Sequence, residues 1–188
     1  MIALLILQKI AKKIEFWWGF WCFALSSWAN FKAALWSLLT ESIVATGRVC
    51  FEFRDEVTGT RRTEWSRNLV VTTGKNHIAD QLSGQAQAQM GWMAIGTGAT
   101  PAAAGDTALQ SELSRKALTS IDQGTGENAN QVIYVADWGV GEGTGAITEA
   151  GLFNLASAGV MLCRSVFAVK NKGESDSLTL TWYLTISS

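Results

Sequence analysis

His77 is the only histidine in the chain, so it is the one side chain that could serve as the general base of a Ser-His-Asp triad. It lies in the stretch Gly74-Lys-Asn-His-Ile-Ala-Asp80, where His77 and Asp80 would share one face of a predicted helix. A triad would also need a nucleophile from elsewhere in the chain, and the sequence contains no Gly-x-Ser-x-Gly nucleophile elbow. We therefore expect His77 to be a surface or partly packed residue.

Glu149 and Asp137 are two acids that could form the carboxylate pair of a glycoside hydrolase. Sugar-cleaving clefts usually combine such a pair with aromatic platforms on a larger scaffold. Each of the two acids instead lies in a stretch that we predict to be a strand. We expect both side chains to lie on strand faces, and a small carbohydrate-active enzyme ranks third among the functional interpretations.

Two glycine-rich stretches could hold a phosphate group or a metal ion. Gly96-Thr97-Gly98 precedes a helix that we predict to begin at Asp106, but it lacks the spacing of a nucleotide-binding loop, and the Asp106 carboxylate would repel a phosphate. The stretch 139–145 alternates glycine with other residues, and because Glu142 is its only acid we interpret it as a flexible connector between strands. We predict no catalytic residue, no cofactor-binding residue and no metal ligand.

The composition excludes several classes of protein. Hydrophobic residues make up 48% of the 188 residues and charged residues 16%, which excludes a disordered chain. The net charge of −1 gives no electrostatic attraction toward nucleic acid, and we predict no nucleic-acid partner. A small basic cluster near the first predicted hairpin is expected to be a solvated strand face; it contains Arg54, Arg61, Arg62 and Arg67.

The cysteines do not show the spacing of a disulfide framework or of a zinc site. Cys22, Cys50 and Cys163 are odd in number and widely spaced, and they include no CxxC pair that could bind zinc. Cys50 and Cys163 lie in apolar, strand-like runs, so we predict that they are small buried hydrophobic residues. Free thiols of this kind fit assembly in a reducing cytosol.

Residues 42–188 carry the alternating pattern of a mainly β protein. Val49, Phe51 and Phe53 alternate with more polar residues, and the stretch 177–187 alternates most regularly of all. Asp55–Thr60 is predicted to be a turn in which Gly59 has a positive φ. Several short strands separated by glycine-containing turns predict an antiparallel β-sandwich with one or two short helices.

Two short helices are predicted within this domain. The first runs from Thr72 or Thr73, either of which could cap it, to about Ser83, with Ile78, Ala79 and Leu82 on one apolar face. The second spans Thr107–Leu113 and is capped by Asp106, and it is followed by a strand at Lys116–Ile121. Thr63–Val71 is predicted to be the hairpin partner of the first strand.

Residues 1–41 form a separate, hydrophobic and tryptophan-rich segment that we predict to be helical. The favoured interpretation is an anchor that packs against protein, with the window 16–39 in contact with a membrane as an alternative. A cleaved signal peptide and a natural start downstream of this segment are two further interpretations. The side chains expected to anchor a partner are Trp17, Trp18, Trp21, Trp28 and Trp36.

About three quarters of the chain, from Thr46 to the C-terminus, resembles small bacteriophage virion structural proteins. Met93-Ala-Ile-Gly-Thr-Gly98 is the most specific piece, together with Thr107-Ala-Leu109 and Glu112-Leu-Ser-Arg115. Glu149-Ala-Gly-Leu-Phe153 and Leu178-Thr-Leu-Thr-Trp182 complete the resemblance. Proteins of this kind belong to the tail-collar and tail-fibre type or to the capsid-decoration type.

The resemblance implies a β domain without enzymatic activity or cofactor that assembles on a virion in the host cytoplasm. Its partners would be other virion proteins, from the tail, the baseplate or the capsid, and we expect a homo-oligomer. The motif residues that it implies are structural are Gly96, Gly98, Glu112, Arg115 and Glu149. One hypothesis is that Arg115 pairs with a carboxylate and pins the second helix onto the sheet. The alternative function is a membrane-tethered β domain encoded by a prophage.

Overall fold

The computed structural model describes residues 43–85 and 87–187, in which ten strands form two antiparallel sheets. The strands are β1 Val44–Asp55, β2 Arg61–Arg67, β3 Leu69–Val70, β4 Trp92–Gly96, β5 Glu112–Ala117, β6 Ser120–Gln123, β7 Gln131–Trp138, β8 Gly145–Phe153, β9 Met161–Lys172 and β10 Asp176–Ser187. One α-helix, α1, spans Thr72–Leu82, and a short 3-10 helix spans Gly126–Asn128. The prediction of a mainly β fold with two antiparallel sheets is confirmed.

Each sheet contains five strands. Sheet A has the order β2-β1-β10-β7-β6, and sheet B has the order β3-β9-β8-β4-β5. The chain passes from one sheet to the other four times, after β2, β5, β7 and β9. The first two crossings correct the sequence predictions, because Thr63–Val71 and Lys116–Ile121 were each expected to be one strand and each is divided between the sheets.

The core lies between the two sheets and is built by alternate residues of the strands. In β10, Leu178, Leu180 and Trp182 are at most 1% exposed, as the alternation predicts. Leu180 lies opposite Phe51 of β1, which is also fully buried. Burying a large apolar side chain contributes about 1.5–3 kcal/mol, so this shared core is the main source of stability. Gly59 has the predicted positive φ, 72°, in the turn between β1 and β2.

Helix α1 has the predicted bounds, but its cap and its buried face differ from the prediction. The N-cap position is Val71, which offers no side-chain hydrogen bond, and the hydroxyl of Thr73 donates to the carbonyl of Met161 instead. Only part of the predicted apolar face is correct: Ile78 packs against the core, whereas Ala79 is exposed and Leu82 is 81% exposed. The fully packed positions of the helix are Gly74 and His77.

Glycine at position 74 explains this choice of face. A Cβ atom at Gly74 would overlap the main chain of Leu162 in β9. The absence of a side chain lets the helix backbone approach sheet B, and the residues one turn further along the same face are then buried. Close backbone packing therefore decides the orientation of α1, and the apolar pattern does not.

The second predicted helix, Thr107–Leu113, is absent, and this prediction is wrong. The segment is a loop that leads into β5 at Glu112. Asp106 caps a tight turn, where its carboxylate accepts the N–H of Ala103 at 2.9 Å. The main-chain N–H groups that follow are directed toward a buried carboxylate of sheet B, which removes them from a helical pattern.

Ile43–Ser188 forms one compact unit. The tryptophan-rich segment 1–41, with its five proposed anchoring tryptophans, lies outside the described residues. Within the described ranges 43–85 and 87–187, no helix has the length and apolar character needed to span a membrane.

Candidate functional site

The most densely bonded side chain of the described structure is Glu149, a fully buried residue of β8. Its Oε1 accepts the main-chain N–H groups of Gly98 at 2.9 Å and Ser111 at 2.7 Å. Its Oε2 accepts the N–H of Gln110 at 3.0 Å and two donors of Arg164, Nε at 3.0 Å and Nη2 at 2.7 Å. Five donors therefore surround one carboxylate, more than its roughly four lone-pair sites, so both oxygens are fully occupied.

Arg164 of β9 is the cation of this centre, and sequence reasoning did not identify it. Its side chain is 3% exposed, and its Nη1 also donates to Asp106 at 2.7 Å. The three charged groups form a linked pair of salt bridges between β8, β9 and the turn at Asp106. A sequence signal existed, because Arg164 and Glu149 are single charges within apolar strand segments, and buried charges are normally paired.

The hydrogen bonds around Glu149 determine its protonation state. Burial by itself would raise the pKa of Glu149, but the N–H groups of Ser111 and Gln110, the guanidinium of Arg164 and the N–H of Gly98 outweigh burial, and the pKa lies below its ordinary value. The pKa of Asp106 is also lowered, first by the N–H of Ala103 and then by Arg164. The centre is therefore ionised at neutral pH, and it is suited to holding main chain in place.

Gly96 and Gly98 are the glycines that allow the loop to reach this carboxylate. A Cβ atom at Gly98 would overlap Oε1 of Glu149, and one at Gly96 would overlap the carbonyl of Ser111. The loop is held from a second side by Thr148, whose hydroxyl donates to the carbonyl of Gly98 at 2.9 Å. The Gly-Thr-Gly turn is thus shaped around a carboxylate of the same chain and not around a phosphate.

Arg115 has a different role from the one expected. It pairs with Glu112, with Nη2 2.6 Å from Oε2, but there is no helix for it to pin. Its Nη1 donates to the carbonyls of Leu155 and Ala158, both at 2.9 Å, and its guanidinium lies 3.8 Å from the ring centroid of Phe153. Arg115 and Glu112 therefore hold the loop between β8 and β9 against the edge strand β5.

The structure does not bring together the residues considered for catalysis. Glu149 is buried in sheet B, whereas Asp137 is an exposed residue of sheet A that accepts hydrogen bonds from the hydroxyls of Thr119 and Thr179 at 2.7 and 2.6 Å. The expectation that His77 lies at the surface or is only partly packed is wrong: it is buried, with 5% exposed, and its Nδ1 has no hydrogen-bond partner among the described residues. Burial lowers the pKa of His77, and the nearby charge of Asp80 only partly opposes this effect.

The remaining polar candidates are also engaged in the fold. Glu142, the acid of the glycine-rich connector, pairs with Lys116 at 2.7 Å and accepts the N–H of Gly139 at 2.8 Å. Cys50 and Cys163 are free and buried, as predicted, and burial raises the pKa of both thiols. Within the residues that the structure describes, no three His, Cys, Asp or Glu side chains are grouped so that they could hold a metal ion.

Comparison with known proteins identifies no relative: no protein-family model, no curated protein and no solved structure matches the chain.

Proposed function

We propose that this chain is a non-enzymatic structural protein of a bacteriophage virion. A position on the tail fibre or baseplate is slightly favoured over capsid decoration. Its partners would be other virion proteins, from the tail, the baseplate or the major capsid protein, and it would assemble in the host cytoplasm. The segment 1–41 would attach it to neighbouring subunits through its tryptophans, since large aromatic side chains are strong anchors in protein interfaces.

The observation that carries this proposal is the way in which the resemblance-bearing stretches meet at Glu149. The motif 96–98 and the segment that joins the motif pieces 107–109 and 112–115 are distant in sequence from the motif 149–153. Gly98 of the first motif, and Gln110 and Ser111 of the joining segment, all bind the carboxylate of Glu149. General acid–base catalysis requires a carboxyl or imidazole group within reach of a substrate proton. Glu149 has no exposed surface, and its oxygens are occupied by main-chain and guanidinium donors. A motif of this kind serves to fix loops, which supports a structural role.

Mass spectrometry of purified phage particles tests the proposal. Particles would be purified on a density gradient from a culture that produces the protein, and the peptides of residues 43–188 would be quantified against those of the major capsid protein. We expect the protein to be present at a fixed ratio, with a low copy number for a tail or baseplate position and a high one for capsid decoration. Absence from intact particles would refute the proposal.

The alternative function is a membrane-tethered β domain encoded by a prophage, and the apolar window 16–39 is the observation that favours it. The same culture separates the two functions, because the host membrane fraction can be quantified beside the particles. Recovery in the membrane fraction, resistant to alkaline carbonate and without recovery in particles, would establish the alternative. Sugar-cleaving activity of the pure protein would instead support the third interpretation.

A further inference from the structure

An open groove lies at the end of sheet A where β1 begins. Its volume is about 1000 Å³, and Arg48, Trp65, Arg67, Leu69 and Lys75 are among the residues that line it. Trp65 is 50% exposed and Leu69 36% exposed, so the groove offers apolar surface to a partner. The guanidinium of Arg48 lies 4.7 Å from the ring centroid of Trp65, and this stacking holds the cation beside the apolar surface. We call this surface the basic groove.

The Lys and Arg side chains of the basic groove form no ion pair with another described residue. Among the described Lys and Arg side chains, five form no ion pair with another described residue: Arg48, Arg61, Arg67, Lys75 and Lys172. Lys172 is buried and donates to the carbonyls of Gly139 and Asp176. Three of the other four line the groove, and none of the described residues that line it carries a carboxylate. The groove is therefore complementary to a partner that carries carboxylates.

The opposite end of β1 carries the complementary chemistry. Three loops meet there, 56–60, 139–144 and 173–175, and each contains one glutamate and no Lys or Arg. They are joined by hydrogen bonds from the N–H of Glu56 to the carbonyl of Ser175 and from the N–H of Gly141 to the carbonyl of Glu174, both at 3.0 Å. We call these three loops the acidic loop end.

The acidic loop end also presents apolar side chains to solvent. Val57 is 83% exposed and Val140 is 56% exposed, each at the tip of its loop. Glu56 and Glu142 are partly neutralised by Arg54 at 3.3 Å and by Lys116 at 2.7 Å. Glu174 is exposed and forms no ion pair with another described residue. The loop end thus combines a carboxylate available to a partner with two protruding valines.

We propose that the chain associates head to tail, with the acidic loop end of one copy seated in the basic groove of the next. Val57 and Val140 would cover Trp65 and Leu69, and the loop carboxylates would meet Arg48, Arg67 and Lys75. Because the two surfaces differ and lie at opposite ends of β1, the interface is heterologous, and repetition of it yields a ring or a filament. This inference does not rest on the virion proposal.

Charge reversal with mixing of variants tests this arrangement on the full chain, kept in one non-ionic detergent and studied by sedimentation velocity. The groove variant is Arg48→Glu/Arg67→Glu, and the loop variant is Val57→Arg/Glu174→Arg. Each variant alone presents like charges at the interface, so its self-association should be weaker than that of the wild type by about tenfold or more. An equimolar mixture should regain the association of the wild type, since each groove then meets a loop end of opposite charge.

The controls isolate the proposed surfaces. Arg61→Ala is compared with Arg67→Ala, because Arg61 also forms no ion pair with another described residue but lies beside loop 56–60 and not in the groove. Loss of a cation next to the acidic loop end should leave association unchanged or strengthen it, so only Arg67→Ala should weaken association. Near-ultraviolet circular dichroism of every variant confirms that the fold is retained. Association through residues 1–42 would be equal in all variants and would survive both reversals. Addition of 0.5 M salt should weaken the wild-type contact and leave such association unchanged.

Several outcomes would overturn the inference. A wild-type chain that remains monomeric, variants that associate as the wild type does, or a mixture that fails to recover association would each do so. Decaglutamate peptide and oligogalacturonate would be added to the wild type and to the groove variant in parallel. If the wild type is monomeric and binds either probe only through an intact groove, the groove belongs to an external anion and not to a second copy. Detection of the protein in particles is independent of all these results.

Discussion

Glu149 shows how a single buried charge can organise a large loop. Removing an ionised carboxylate from water costs several kcal/mol even after the protein relaxes, so such a group is retained only where its oxygens are fully bonded. Here, three donors are main-chain N–H groups of residues 98, 110 and 111, and two belong to Arg164. The loop between β4 and β5 is consequently tied to the centre of sheet B.

Glu149→Gln should be strongly destabilising. The amide keeps the size of the carboxylate but removes its charge, and its NH₂ group cannot accept the hydrogen bonds that one oxygen accepts at present. Arg164 would remain buried with Asp106 as its only counter-ion. Breaking a buried ion pair typically costs about 3–5 kcal/mol, and we expect a loss in this range in the free energy of unfolding from urea titrations.

The matched control is Glu142→Gln, which removes the same charge from an exposed ion pair with Lys116 and should change stability little. The pH dependence provides a second check. Because the pKa of Glu149 is lowered in the folded state, its stabilisation is present above the ordinary value of 4.5 and is lost as the pH falls below it. The acid limb of the stability profile should therefore be shallower in Glu149→Gln. Equal stability of the two variants would refute the role of this centre.

His77 should make stability depend on pH in a higher range. Burial lowers the pKa of His77 below 6.5, so the unfolded chain binds a proton at a pH where the folded chain does not. Stability contributed by the neutral imidazole is full above pH 6.5 and decreases as the pH falls below that value. The urea concentration at the midpoint of unfolding of the wild type should therefore decrease when the pH is lowered from 7.5 to 5.

His77→Gln should flatten this part of the profile, whatever its effect on absolute stability. The comparison isolates one imidazole because the chain has no other histidine. Asp80→Asn is the companion variant: it removes the neighbouring charge that raises the pKa of His77, so it should steepen the slope. Parallel slopes in the wild type and His77→Gln would show that His77 does not titrate in this window.

At the scale of elements, local pattern predicts strands well and fails where distant groups bind the main chain. The alternation of residues 177–187 predicts β10 and its buried face, because burial on one face imposes period two. The helix Thr107–Leu113 is predicted from Asp106, which could cap its first turn. It does not form, since Glu149, about forty positions away, binds the N–H groups of Gln110 and Ser111. A local sequence pattern cannot reveal an interaction with a residue that is so far away along the chain.

The site shows the same limit. The motif residues Gly96, Gly98 and Glu149 could be selected from the sequence, but their contact could not, because it depends on the register of β4 with β8. The hypothesis that Arg115 pairs with a carboxylate is correct, since it binds Glu112. The predicted consequence, a helix pinned onto the sheet, is wrong because that helix does not form. Arg164, the partner of Glu149, lies opposite Gly151 in the pairing of β8 with β9, and no local pattern indicates that register.

Gly74→Ala separates helix propensity from packing in α1. Alanine is the better helix former by about 1 kcal/mol, so local preference alone predicts stabilisation. The new Cβ atom would overlap the main chain of Leu162, which cannot move without disturbing β9. We expect net destabilisation of about 1–3 kcal/mol, the usual range for overpacking, in urea unfolding followed by circular dichroism. Gly105→Ala, where a Cβ atom meets open space, should be close to neutral. An increase in stability for Gly74→Ala would contradict the close packing of α1 on sheet B.

At the scale of the whole molecule, the two sheets depend on each other. The chain changes sheet after β2, β5, β7 and β9, so neither sheet is a continuous piece of sequence. Trp138 of sheet A illustrates the coupling, since it is fully buried and its Nε1 donates to the hydroxyl of Ser114 in sheet B at 3.0 Å. Such a topology favours a single cooperative unit, because loss of one sheet exposes the inner face of the other.

A chain of residues 43–188 should therefore fold without the tryptophan-rich segment, as expected if that segment is an anchor. Among the described residues, the buried side chains of both sheets supply a core that is large enough for cooperative unfolding. We expect a β-sheet circular dichroism spectrum. Urea unfolding should show one transition, with the same midpoint by circular dichroism and by tryptophan fluorescence.

Trp138→Ala in the same chain is the control. It should lower the free energy of unfolding by about 3–5 kcal/mol, because it removes a buried aromatic side chain from the contact between the sheets. A collapsed but unspecific chain would tolerate that change. If residues 43–188 show no cooperative transition, the first 42 residues are part of the fold, and the division into anchor and domain is wrong.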